Sequence, residues 1–384
     1  MRRILIDVTR LLVRTMGGRL ATGIDRVSLA YIRHFGEHAE AMVRWGGRCA
    51  VLSPRESRRL FGQLLDPPKS MAWTGRRTLA RSLLDRGGRT SYAGVLLFNT
   101  GHSGLEHPRY APLLQRQGVQ PLFMVHDLIP MAHPEYCRPG EAAKHAVRMN
   151  NVLRLAHGIV TNSRATLREL ESHAARIQVP MPPAEVSPLA GPELPPPSGF
   201  PPMGSPYFVM LGTIEPRKNH WLMLQIWRQL IQRLGTRAPK LVVIGQRGWE
   251  CENVVDLLDR CEVLRGHVRE LADCADRELS TYLHHARALL FPSFAEGYGL
   301  PLVEALSLGV PVIASRLPVF REIAGSIPDY LDPLDGLGWM RAIEAYAAPD
   351  SAAMAAQLER IKGFVAPTWQ KHFDIVEAFL ESLP

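Results

Sequence analysis

The chain has 384 residues, 46% of them hydrophobic, and a formal net charge of +8 at pH 7. That length is generous for one core and comfortable for two domains. No apolar run approaches the roughly 20 residues that span a bilayer, and the five cysteines contain no Cys-x-x-Cys pair, which argues against an integral membrane protein, a disulfide framework and a zinc site of that kind. The positive charge favours anionic partners, but its clusters at Arg55-Arg58-Arg59 and Arg76-Arg77-Arg81-Arg86-Arg89 accompany no nucleic-acid motif. Nucleic acid is therefore not an expected partner, whereas a solvated basic face and a peripheral contact with anionic lipid both fit. The amino-terminal MRRILIDVTRLLVRT is interrupted by Asp7 and Arg10 and lacks a signal peptide's apolar core, so a cytoplasmic location is expected.

Ile4 to Val8 is predicted as a first strand, followed by a loop carrying Gly17-Gly18 and Gly23 and a helical pattern to about His34. Glycines in such a loop let the backbone approach a ligand. From about Arg48 to Thr90 the sequence is polar and weakly periodic. Gly94 to Phe98 and Pro121 to Val125 are predicted strands, the first followed by Asn99-Thr-Gly-His102 and the second by His126-Asp127-Leu-Ile-Pro. Both loops lie at strand carboxyl ends, where open parallel sheets bind their ligands. A histidine there can orient a hydroxyl without a large pKa shift. Glu141 to His157 has helical spacing, Gly158 to Thr161 is a strand, and Ser163 suits the cap of a helix from Arg164 to about Ala174. Residues 180–206 then hold eleven of the 31 prolines without apolar periodicity, which marks a linker.

The alternation restarts at Tyr207 to Leu211, followed by Gly212-Thr213-Ile-Glu-Pro-Arg217-Lys218-Asn219 and a helix from His220 to about Leu234, with Asn219 as its expected N-cap. Arg217 and Lys218 stand where strand becomes helix, a place that suits a diphosphate whose charge grows as a bond to it breaks. Lys240 to Ile244 is a strand ending at Gly245, and Cys261 to Leu264 is predicted as another. His284-His285 are adjacent, so they do not share a helix face and make a poor metal pair. Ala288 to Ala314 reads as a strand, a tight loop with Glu296-Gly297-Tyr298-Gly299, a short helix beginning near Leu300-Pro301 and carrying Glu304, and a second strand. An anion is expected at that helix start, with Glu296 and Glu304 reading sugar hydroxyls beside it.

Glu296 and Glu304 within FAEGYGLPLVEALSLGVPVIAS, together with Glu-Pro-Arg217-Lys218-Asn and His126-Asp127-Leu-Ile-Pro, resemble the motifs of the retaining glycosyltransferases of family 4. The resemblance is strong from Tyr207 to Gly325, partial before it, and absent between about Arg48 and Thr90. It implies the α/β GT-B fold, two Rossmann-like domains facing across a cleft, with the terminal helix crossing back to the first. The implied boundaries are an acceptor domain at 1–185, a linker at 186–206, a sugar-nucleotide domain at 207–365 and the returning helix at 366–384. It further implies that Glu296 lies against the donor sugar, Glu304 holds the ribose, and Lys218 and Arg217 hold the diphosphate. Gly212, Thr213, Gly245, Gly297, Tyr298, Gly299 and Leu300 would line the donor. Relatives often carry Arg where this chain has Thr213, so the phosphate role falls on Arg217 and Lys218. His126 would act near the reaction centre, with His102, Asp127 and Gly23 or Gly17-Gly18 on the acceptor side.

The chemistry implied is metal-independent and cofactor-free transfer by front-face displacement, in which the leaving diphosphate helps to remove the acceptor proton. The donor would be a sugar nucleotide and the acceptor a glycan or lipid-linked glycan. The motif strings resemble bacterial polysaccharide mannosyltransferases, which makes GDP-mannose the first donor and a UDP-sugar the alternative. A non-catalytic glycosyltransferase-like binding subunit is the rival of another class, as is a phosphorylase or epimerase of the same fold. On this reading Glu304→Gln mainly raises the donor KM, whereas Glu296→Gln mainly lowers kcat and leaves nucleoside-diphosphate affinity nearly untouched.

Overall fold

The computed structural model describes residues 3–18, 22–45, 48–67, 92–191 and 194–384. The arginine cluster from Arg76 to Arg89 lies outside the described residues. The chain forms two compact units, the first made of Met1–Leu128, Ala143–Leu189 and Trp369–Pro384, the second of Ile129–Ala142 and Ala190–Thr368.

The first unit is built on seven strands, β1 (Ile4–Asp7), β2 (Ala39–Trp45), β3 (Arg48–Val51), β4 (Leu96–Asn99), β5 (Gln120–Val125), β6 (Gly158–Thr161) and β7 (Ala184–Val186), in the order β3-β2-β1-β4-β5-β6-β7. Only β2 and β3 pair antiparallel. Every residue of β1, β4 and β6 is buried, which explains why these strands read as short continuous apolar runs. β3 and β7 escape such a reading because they are half-exposed edge strands. β7 interrupts the proline-rich stretch, immediately after Pro183, at a sheet edge where a missing amide is tolerated. Part of the expected glycine loop is helical instead. Thr9–Met16 forms a helix before the longer one at Gly23–Phe35.

The last helix, Trp369–Ser382, packs within this first unit. Phe373 stacks on His34 with ring centroids 3.9 Å apart, and the His372 ring bridges Ser187 Oγ at 2.8 Å and the Tyr31 hydroxyl at 3.1 Å. Burial lowers the His372 pKa to about 4, so the ring sits in the core as a neutral imidazole.

The second unit holds six parallel strands, β8 (Tyr207–Leu211), β9 (Lys240–Ile244), β10 (Val268–Leu271), β11 (Leu289–Phe291), β12 (Val312–Ser315) and β13 (Asp329–Leu331), in the order β10-β9-β8-β11-β12-β13. Its core gathers Phe208, Trp227, Leu241, Leu290 and Trp339, and burying a side chain of the Phe or Leu kind contributes roughly 1.5–3 kcal/mol. The strand expected at Cys261–Leu264 is a 3₁₀ turn over Glu262–Leu264, and the chain joins the sheet edge later, at β10. β10 is partly exposed along its length and carries Arg269 and Glu270, so it shows no apolar run.

Candidate active site

In the second unit the carboxyl ends of β8 and β11 bring together the three charged residues singled out in the sequence. The chain leaves β8 through Gly212 and Thr213 and makes a 3₁₀ turn at Pro216–Lys218 before the helix His220–Leu234. The Phe294 amide donates to the Arg217 carbonyl at 2.8 Å, which ties that turn to the loop after β11. Glu296 thereby meets both cations. Its carboxylate lies 2.5 Å from Lys218 Nζ and 2.7 Å from an Arg217 guanidinium nitrogen, and it accepts a third bond from Ser293 Oγ at 2.8 Å. Arg217 also pairs with Glu215 at 2.6 Å and donates to the Ala295 carbonyl at 2.9 Å.

Lys218, Glu215 and Glu296 are almost wholly buried, and the Arg217 side chain is about one-fifth exposed, 21%. Burial alone would raise the Glu296 pKa, but Arg217 and Lys218 outweigh it and hold the carboxyl at about 2. For Lys218 burial dominates, reinforced by Arg217, and the ammonium falls below its ordinary range despite Glu296 and Glu215. The carboxylate gains from the cluster while the ammonium pays the desolvation cost. Two cations and two carboxylates balance, so the cluster is neutral as it stands.

Asn219 stands at the N-cap of the helix His220–Leu234, as expected, but its side chain makes no capping bond. Its backbone is left-handed, φ 58°, and its side-chain amide donates to the Pro333 carbonyl at 2.8 Å. At Gly245 a Cβ would lie 2.0 Å from the Gly212 carbonyl oxygen, so glycine lets the ends of β8 and β9 close together.

Gly297 and Tyr298 continue the loop after β11, and Tyr298 is buried. Gly299 stands at the N-cap of the helix Leu300–Ser307 with φ 120°. A Cβ on it would meet the Phe320 ring at 2.8 Å. This helix start offers fewer amides to an anion than expected, because Pro301 has none and the Leu302 and Val303 amides donate to the Gly299 carbonyl. Glu304, one turn on, is buried, and a Cβ at Gly191 would lie 3.8 Å from its Cγ.

The first unit holds the histidines. His126 Nε2 donates to the Thr100 carbonyl at 2.7 Å, which leaves Nδ1 as its acceptor nitrogen. The His126 amide donates to His102 Nε2 at 3.1 Å, and the two rings lie 5.2 Å apart. Burial lowers both pKa values, that of His102 strongly, so both rings are neutral near pH 7. His145 joins them from the helix Glu141–Leu155, its Nε2 donating to the Asp127 carbonyl at 3.1 Å. Gly23 opens the helix Gly23–Phe35, whose capping box pairs Thr22 with Asp25. The Asp25 carboxylate also takes Arg14 at 2.7 Å and Arg10 at 3.3 Å. Ser28 on that helix shares a 2.8 Å bond with the Thr100 hydroxyl, so the same loop ties the glycine-led helix to His126.

Sequence reasoning assigned no role to Glu215, Ser293, Asp25 or His145. Glu215 stood in the quoted motif two residues before Arg217, and only the folded turn reveals that the two pair. Among the described residues no group of three or more His, Cys, Asp or Glu side chains is arranged to hold a metal.

Residues 196–326 match the model of the glycosyl transferases group 1. The O-antigen chain mannosyltransferase B of Escherichia coli is 38% identical over 129 residues, 34% of this chain and 33% of that protein. The serotype-specific mannosyltransferase WbdA of Escherichia coli is 25% identical over 287 residues, 71% of this chain and 34% of that protein. The chain thus spans about a third of the length of these curated relatives. Among solved structures, the sucrose-phosphate synthase of Thermosynechococcus elongatus aligns with a TM-score of 0.64 at 15% identity, covering 99% of both chains. The trehalose-6-phosphate protein of Escherichia coli bound with UDP-2-fluoro glucose aligns with the same TM-score of 0.64 at 11% identity, covering 100% of both. At these identities the likeness speaks for the fold, and that fold is the two-domain α/β architecture of GT-B glycosyltransferases.

Proposed function

We propose that the chain is a retaining, metal-independent glycosyltransferase that moves a hexose from a sugar nucleotide to a glycan or lipid-linked glycan in bacterial surface polysaccharide synthesis. The observation that carries this reading is the buried Arg217, Lys218 and Glu296 cluster at the carboxyl ends of β8 and β11, inside the region that matches group 1. Two fixed cations suit a leaving diphosphate, because a charge that develops in a water-poor site is stabilised most by donors already in place. Neutral His126, with its acceptor nitrogen free of the Thr100 bond, suits a hydroxyl of acceptor or donor sugar. Mannose from GDP-mannose is the preferred donor because the matched relatives are mannosyltransferases by name.

A thermal-shift panel of GDP, UDP, ADP and their sugars tests the reading. A nucleotide at 100 times its dissociation constant stabilises by about 2.7 kcal/mol, and GDP and GDP-mannose are expected to give the largest shift. No shift with any of them overturns the donor assignment. The reading includes a peripheral contact between the basic chain and anionic lipid. Binding to anionic liposomes that exceeds binding to neutral ones and weakens steeply with salt is the expected result, and equal binding to both overturns it.

A further inference from the structure

Beside the Arg217-Lys218 turn, within the second unit, a cavity of about 400 Å³ opens between the start of the helix His220–Leu234, the loop ahead of the helix Glu252–Arg260, and Pro333-Leu334. That volume is in the range of small-molecule sites, and neither Lys218 nor Glu296 lines it. We propose that this cavity is a saccharide subsite, which holds a sugar ring of a glycan chain next to the reacting centre rather than at it. The inference rests on the transferase reading and adds to it where the chain of sugars lies.

Three observations carry it. The rim is apolar and open to water: Trp221 is 47% exposed and Leu334 77%. A pyranose offers one face of C–H bonds to such a surface and a ring of hydroxyls to its surroundings. The wall also holds polar groups, among them the exposed Glu250 and Asn253 and the buried His220. Burial lowers the His220 pKa to about 3, so that wall carries a neutral imidazole, whereas Glu250 and Asn253 offer polar side chains to hydroxyls. Finally, Phe294 in the wall continues into a row of rings. Tyr136 stacks on Phe294 and His133 on Tyr136, each with centroids 5.5 Å apart. Trp249 Nε1 donates to the Tyr136 carbonyl at 3.1 Å and holds this segment in the same unit. A row of rings leading away from a cavity suits several sugars in sequence. An acyl chain in the cavity would desolvate Glu250 and Asn253 without returning hydrogen bonds, which disfavours a lipid tail.

The test is titration of an α-linked mannotetraose, free mannose and an alkyl phosphate, followed by tryptophan fluorescence and saturation-transfer NMR. The tetrasaccharide is expected to perturb the indole signal and to bind at least tenfold more tightly than mannose. Trp221→Ala, at a half-exposed position outside the buried core, is expected to lose tenfold or more of that affinity. Tetrasaccharide binding no better than that of mannose, an unchanged affinity in Trp221→Ala, or a stronger response to the alkyl phosphate overturns the proposal. Nucleotide binding separates the two readings: a wild-type protein that binds GDP but not the tetrasaccharide refutes only the subsite, and one that binds no nucleotide refutes the transferase reading itself.

Discussion

Lys218→Ala is expected to cut turnover about a hundredfold or more, the loss seen when one preorganised donor to a developing charge is removed. Its ammonium is buried and pairs with Glu296, so the substitution also strands a buried carboxylate with Arg217 and Ser293. Breaking one side of a buried pair typically costs about 3–5 kcal/mol, and part of any activity loss could then be unfolding. The double variant Lys218→Met with Glu296→Gln separates the two effects. It removes both members of the pair and should regain much of the stability while turnover stays low. Donor hydrolysis or transfer by folded Lys218→Ala at near wild-type rates overturns the diphosphate assignment.

Glu296→Gln is expected to lower kcat and, against the reading from sequence alone, to tighten nucleoside-diphosphate binding. Glu296 already occupies both cations that a diphosphate needs, so an incoming phosphate competes with it. Release of a charge-assisted bond of about 1.5 kcal/mol corresponds to roughly tenfold in affinity. Glu304→Gln, if Glu304 holds the ribose, moves the same quantity the other way and raises the donor KM by about tenfold. Calorimetry with GDP distinguishes them, and weakening in both variants overturns the competition. The same substitution has a pH signature. The Glu296 pKa is lowered in the folded chain from 4.5 to about 2, so it adds stability above about pH 4.5 that is lost as the pH falls toward 2. Over that window Glu296→Gln should show a flatter fall in melting temperature than wild type.

How far the sequence could be read depended on burial. β6, β8 and β9 are legible to the residue because each is an apolar run between turn-forming neighbours. β3, β7 and β10 are not, since a half-exposed edge strand has no run to read. In the site, Arg217, Lys218 and Glu296 stand out by residue type and by position at strand ends. That they neutralise one another does not, because Glu296 follows Lys218 by 78 residues and only the parallel pairing of β11 beside β8 closes that distance. The same limit hid the Pro333 bond of Asn219, 114 residues away, whereas the Glu215 pair depends on the fold of a local turn. The close approach of Gly245 to Gly212 was equally hidden, because Gly212 follows another strand, 33 residues earlier.

The terminal helix reverses the usual order of synthesis and completion. Its His372 joins Tyr31 across 341 positions and Ser187 across 185, so the first unit cannot close until the ribosome has passed the whole of the second. The second unit, made of Ile129–Ala142 and Ala190–Thr368, has all its residues sooner. Domains made first commonly fold first. Here the earlier-made unit waits, with Tyr31, His34 and Phe35 short of their partners, for a helix made after the second unit. During translation those aromatic side chains are the surface that a chaperone would have to guard.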